Sequence, residues 1–199
     1  SKGDLGRAIA DYTEAIRLDS KNSTIFSNRA RAYRDKGDYD RAAADYGEML
    51  KLDPADANIY VNRSYVYLIK ADYERAAADL NEALRLGLRS ATVFAGRGFA
   101  NLNLNEYDRA ISDYSEVIRL DPKVATAYNY RGFAYDNKGD YDRAISDYTA
   151  AIGFDPNYAV AYNNRGYAYD NKGEDERAIA DYSAAIALNP KFAAAFLNR

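Results

Sequence analysis

Apolar and small residues return along this chain with the spacing of a helix, and the spacing breaks at regular places. In YNNRGYAYDNKG, which begins at Tyr162, the residues Tyr162, Gly166 and Tyr169 stand at i, i+4 and i+7 and share one helical face. This predicts a helix over Val160–Asn171, ended by NKG, with Gly173 suited to the left-handed position after a helix. A second helix is predicted over Glu176–Leu188, where Ala178, Tyr182 and Ala185 share a face. Pro190 ends it, because the residue before a proline is disfavoured in helix.

The two-helix pattern repeats. YNYRGFAYDNKGDYDRAISDYTAAIGFDP from Tyr128 aligns with YNNRGYAYDNKGEDERAIADYSAAIALNP from Tyr162 at an offset of 34. Arg29, Arg63, Arg97, Arg131, Arg165 and Arg199 keep the same interval, as do Asp11, Asp45, Asp79, Asp113, Asp147 and Asp181. The frame gives a single array over residues 1–199: a second helix at 1–22, full repeats at 23–56, 57–90, 91–124, 125–158 and 159–192, and the start of another at 193–199. Starting and stopping within a repeat is what a fragment of a longer array is expected to do. Two helices of about 12 residues cannot bury an apolar face alone, so neighbouring repeats are expected to stack.

With Gly132 and Gly166 set at position 8 of the repeat, other positions fall into register. Position 4 is aromatic (Phe26, Tyr60, Phe94, Tyr128, Tyr162, Phe196), and position 20 is alanine from Ala8 through Ala178. Position 24 is tyrosine except at Leu80, and position 32 is Pro54, Pro122, Pro156 and Pro190. This pattern resembles the tetratricopeptide repeat (TPR) family, in its tyrosine-rich bacterial type, over essentially the whole chain. The resemblance implies an all-α fold, a right-handed α-solenoid of stacked antiparallel helix pairs. It implies a soluble protein of the cytoplasm or periplasm, without choosing between them. One departure stands out: arginine occupies position 7, where the family usually has leucine.

At 100° per residue, positions 4, 7, 8 and 11 of the first helix share one side, and positions 2, 5, 6, 9, 12 and 13 the other. In the family the latter side lines a concave surface and faces bound peptides. Arg131 and Arg165 therefore lie on the packing side, and Asp147 and Asp181 recur with them, so two structural ion pairs are expected. Arg177, four residues before Asp181, is placed to share that carboxylate. On the groove side, Asn28, Asn62, Asn164 and Asn198 form a row at position 6, joined by Asn129 and Asn163 at position 5. An asparagine row is able to hold an extended backbone, as in the similar ladder of O-GlcNAc transferases, or is simply a solvated polar face. Tyr65, Leu68, Ile69, Phe99, Leu102, Tyr130 and Phe133 form an apolar cluster, extended by Tyr167, suited to a partner or to packing within the array. Gly96 is expected to admit a partner closely. Arg31 and Arg34 give the early repeats positive charge, while Asp136 and Asp170 give the later ones negative charge. The third and fourth repeats depart from the pattern: Leu80 and Leu88 replace tyrosine and proline, and Ala71 and Asn105 replace the turn glycine.

Composition narrows the function. The 199 residues contain 20 tyrosines but no cysteine or histidine, which removes thiolate chemistry and the commonest general base and metal ligand. A net charge of −3 argues against a phosphate backbone as the default partner. No apolar run approaches membrane-spanning length. No cofactor or metal is expected, and the carboxylates recur with the period, which assigns them to the scaffold. The expected function is a non-catalytic scaffold that binds a protein or peptide in the concave groove. The alternatives are a structural module that self-associates head to tail through its open ends, and a TPR extension of a larger enzyme.

Overall fold

A computed structural model describes residues 2–199, with side chains from Asp4 onward. Among the described residues there are twelve α-helices and no strand: α1 (Lys2–Leu18), α2 (Ser23–Lys36), α3 (Tyr39–Leu52), α4 (Ala57–Ile69), α5 (Tyr73–Arg85), α6 (Ala91–Asn103), α7 (Tyr107–Leu120), α8 (Ala125–Asn137), α9 (Tyr141–Phe154), α10 (Ala159–Asn171), α11 (Asp175–Leu188) and α12 (Ala193–Asn198). The chain forms two compact halves, Ser1–Ala100 and Asn101–Arg199. Each is a stack of antiparallel helix pairs, the solenoid arrangement. In the N-terminal half α2 packs on α3 and α4 on α5; in the C-terminal half α8 packs on α9 and α10 on α11.

The turn inside each pair has one construction. Gly37, Gly139 and Gly173 take φ values of 84°, 78° and 74°, the left-handed conformation that closes a helix. The next backbone N–H then returns five residues, as from Asp38 to Tyr33 O (2.8 Å) and from Glu174 to Tyr169 O (2.9 Å). Ala71 and Asn105 hold the same conformation, at φ 56° and 60°, and make the same returns. The missing glycines therefore leave the turn intact. The steric cost stays in the backbone at Ala71, whereas asparagine tolerates this region. An aspartate then caps the following helix: Asp38, Asp72 and Asp140 accept from the N–H of Arg41, Arg75 and Arg143.

Where the proline is replaced by Leu88, the second helix ends differently. Asp121 and Asp155 leave their helices in an extended conformation ahead of proline. After α5, Gly87 takes φ 92° and Leu88 N–H returns to Ala83 O at 3.0 Å. Leu88 folds its side chain onto the cluster of Leu80, Ala83 and Val93.

The core follows the repeat. The position-20 alanines Ala42, Ala76, Ala110 and Ala144 are fully buried, which lets the paired helices approach closely. The position-24 rings fill the space beside them: Tyr148 and Tyr182 lie so near Gly132 and Gly166 that an added Cβ would stand 2.9 Å and 2.8 Å from ring carbons. In these two repeats glycine at position 8 makes room for the ring.

Candidate partner-binding face

The position-7 arginines are fastened to the scaffold. Arg131 donates from Nε and Nη2 to both oxygens of Asp147 at 2.8 and 2.7 Å, and Arg165 does the same to Asp181 at 2.7 and 2.8 Å. Arg29–Asp45 and Arg63–Asp79 repeat the fork in the N-terminal half. The aspartates are buried, and the hydrogen bonds that the arginines donate to Asp147 and Asp181 raise the arginine pKa values further. Such a pair persists in a desolvated place only because both oxygens are answered. The guanidinium also lies over the position-4 ring, 5.6 Å from the centroid for Arg165 and Tyr162.

The third nitrogen reaches the preceding repeat. Arg29, Arg131 and Arg165 donate from Nη1 to Thr13, Ser115 and Thr149, each at 3.1 Å, and Arg97 donates to Asn81 at 2.7 Å. Each of these arginines thus ties its helix to the second helix of the repeat before it. Gly47 occupies the corresponding place before Arg63, whose Nη1 lies 3.8 Å from where a Cβ would be. Arg177 does not share Asp181; it donates to Glu174 at 2.8 Å and lies over Tyr169. The helix cap at its own N-terminus is nearer than the buried carboxylate.

The asparagines divide. Asn129 and Asn163 are expected on the groove face, yet they are buried, at 3% and 8% exposure. Asn164 donates its amide to Asn129 Oδ1 at 3.1 Å, and Asn198 donates to Asn163 Oδ1 at 3.2 Å. Position 5 faces the next first helix, so these amides join successive repeats in the C-terminal half. In the N-terminal half, position 5 is Ser27, Val61 and Ala95, and Asn62 remains exposed while Asn28 is half-buried.

The apolar cluster divides as well. Leu102, expected on the groove face, is buried at 7% exposure. Gly96 does not open a space for a partner: Leu80 and Leu68 carbons stand 3.3 and 3.7 Å from the place of its missing Cβ. Leu68 is half-buried, Phe99 meets the edge of Tyr73 at 6.1 Å, and Tyr130 stacks on Tyr114 at 5.4 Å. The rings left outside are Tyr65 (54% exposed) with Ile69 (42%) on α4, Phe133 (41%) on α8 and Tyr167 (48%) on α10. Tyr65, Phe133 and Tyr167 all stand at position 9.

Among the described residues, two buried side-chain oxygens have no hydrogen-bond partner. Asp136 Oδ1 and the Tyr182 hydroxyl are buried without a hydrogen bond. Burial pushes the Asp136 carboxyl up to about 6. Nothing in the repeat pattern announces an unanswered carboxylate oxygen. The one signal is that position 12 turns acidic at Asp136 and Asp170, where earlier repeats carry Arg34, Leu68 and Leu102. Among the described residues no cluster of three or more carboxylates is placed to hold a metal ion, and no helix is long and apolar enough to cross a membrane.

Sequence profiles described as tetratricopeptide repeat match residues 57–86, 97–159 and 159–192, and one described as TPR repeat matches residues 30–70. Among solved structures, the chain is similar to YrrB, described as a TPR protein with an unusual peptide-binding site. The identity is 27% and the TM-score 0.81, over 94% of this chain and 96% of that one. It is also similar to the MamA protein, at 30% identity and a TM-score of 0.80, over 86% of this chain and 93% of that one. MamA from Desulfovibrio magneticus RS-1 shares the fold at 19% identity and a TM-score of 0.81, over 85% of this chain and 96% of that one.

Proposed function

The chain belongs to the tetratricopeptide repeat family, whose members bind other proteins or peptides, and from that premise we propose that it is a non-catalytic scaffold. It holds an extended segment of a partner protein against the groove side of its first helices. The observation that carries this reading is the exposure of rings at position 9 in both halves. Tyr65, Phe133 and Tyr167 keep 54%, 41% and 48% of their surface in solvent, while the position-24 rings of Tyr46, Tyr114, Tyr148 and Tyr182 are almost wholly buried. Large apolar side chains left outside at one repeating position are suited to anchor a partner. The non-catalytic part rests on the recurring aspartates, which are engaged by arginine forks rather than held ready for proton transfer.

Panning a displayed library of random dodecapeptides on the chain tests the proposal. Enriched peptides are expected to bind wild type and to lose about tenfold or more in affinity against Phe133→Ser/Tyr167→Ser, by fluorescence anisotropy. Helicity is expected to stay unchanged. Peptides that bind the double variant as tightly as wild type would place the binding surface elsewhere.

A further inference from the structure

The C-terminal half carries an imbalance of charge on two neighbouring helices. The cations of α8 and the turn after it are Arg131 and Lys138, and those of α10 and its turn are Arg165 and Lys172. Each is matched elsewhere: Arg131 by Asp147, Lys138 by Asp108, Arg165 by Asp181, and Lys172 by Asp142 and Glu174. Asp136 on α8 and Asp170 on α10 make no ion pair among the described residues. They stand one helical turn beyond Phe133 and Tyr167, and α8 touches α10 directly.

A second observation points into the same place. Tyr182, on α11, is 2% exposed, and its ring lies against Gly166 of α10. Its hydroxyl is buried without a hydrogen-bond partner among the described residues; burial raises its pKa, and Asp170, Tyr167 and Asp136 raise it further. The buried Oδ1 of Asp136 is the other unanswered atom. An orphaned carboxylate oxygen, an orphaned hydroxyl, a second carboxylate and two exposed rings together match one kind of ligand. A side-chain cation answers the oxygens through charged hydrogen bonds and meets the rings through their negative faces. An anion is repelled, and an apolar group leaves the buried oxygens unanswered.

We propose that Asp136, Asp170 and Tyr182, flanked by Phe133 and Tyr167, form a site for the cationic side chain, lysine or arginine, of a bound partner segment. The proposal rests on the groove reading above and adds the chemistry of the segment: it is basic where it crosses α8 and α10.

Three fluorescein-labelled decapeptides test it, alternating alanine with lysine, with glutamine or with glutamate. At low salt the lysine peptide is expected to bind at least tenfold more tightly than the other two. Asp136→Asn/Asp170→Asn is expected to remove that advantage while leaving the glutamine peptide unaffected, and Tyr182→Phe to weaken the lysine peptide about threefold. Asp175→Asn/Glu176→Gln, which removes the same charge from the start of α11, is expected to change binding less than twofold. Circular dichroism on each variant confirms folding. Equal binding of the lysine and glutamine peptides, both lost in Phe133→Ser/Tyr167→Ser, overturns the cation site and leaves the groove reading standing. Equal weakening by the α11 control overturns it in favour of diffuse attraction. Failure of all three peptides, when panned peptides do bind the rings, also overturns it. Failure of the panned peptides as well removes the groove reading itself.

Discussion

Gly47 interrupts a contact that neighbouring repeats make, and replacing it with serine is expected to stabilise the protein. Arg63 forks onto Asp79 at 2.8 and 2.7 Å, but its Nη1 faces Gly47 and finds no acceptor there. In the repeats that carry a hydroxyl at this position, the group does two things. Ser115 Oγ donates to Ile111 O at 2.7 Å and accepts from Arg131 Nη1 at 3.1 Å; Thr13 does the same between Ile9 O and Arg29. A Cβ at Gly47 meets Arg63 at 3.8 Å, an ordinary contact, so serine enters without a clash. Gly47→Ala alone is expected to gain about 1 kcal/mol, because glycine is a poor residue in the middle of α3. Serine is intrinsically about 0.5 kcal/mol worse than alanine in a helix. A partly exposed charged hydrogen bond contributes about 1 kcal/mol, so serine should exceed alanine by about 0.5 kcal/mol. Urea unfolding followed at 222 nm on the three proteins, at equal m-values, measures the order. If Gly47→Ser is less stable than Gly47→Ala by its propensity difference, the arginine tie contributes nothing and the reasoning fails.

Further outcomes follow from the same geometry. Arg165→Ala leaves Asp181 buried and unanswered and is expected to cost about 3–5 kcal/mol, whereas Arg177→Ala leaves the urea midpoint unchanged. Equal effects would show that the fork is not structural. Ala71→Gly relieves a left-handed alanine and is expected to stabilise by about 1 kcal/mol, while Gly139→Ala destabilises by a similar amount; thermal unfolding checks both signs. The Asp136 carboxyl, raised to about 6 from an ordinary value of 3.8, favours the protonated form in the folded state. Its contribution is therefore present below the unfolded value and lost as pH rises through about 6. Asp136→Asn is expected to match wild type near pH 4 and to exceed it by about 1–2 kcal/mol at pH 7, after discounting for partial exposure. A constant difference across that range would remove the carboxyl as its source. Higher stability with weaker binding of the lysine peptide in this variant is the trade expected of a binding residue.

The helices, their boundaries and the arginine forks are legible in the chain because each depends on residues that recur with the period. Arg165 and Asp181 stand 16 positions apart in the same repeat, and their partners in other repeats keep that distance. The helical wheel orders one helix at a time, and there it reaches its limit. It places Asn129 and Asn163 with the groove residues, although the first helix of the next repeat covers them. Likewise Leu102 reads as groove-facing and is buried, and Gly96 reads as an opening and is filled by Leu68 and Leu80. The turn at Ala71 errs in the other direction: its residue looks like a change of structure, yet backbone hydrogen bonds hold the glycine conformation.

The sequence by itself determined the repeat, the all-helical class, the glycine and aspartate that turn and cap each pair, and the residues that bury themselves at every period. These follow from local propensity and from a spacing that each repeat states anew. Only the tertiary structure decided which groove-side residues stay free, because that depends on what the adjoining helix covers. It alone separated Phe133 and Tyr167, left in solvent, from Asn129 and Asn163, joined across repeats. It alone left Asp136 Oδ1 and the Tyr182 hydroxyl unanswered among the described residues, since a missing partner is a property of the space around an atom and not of the residue that carries it.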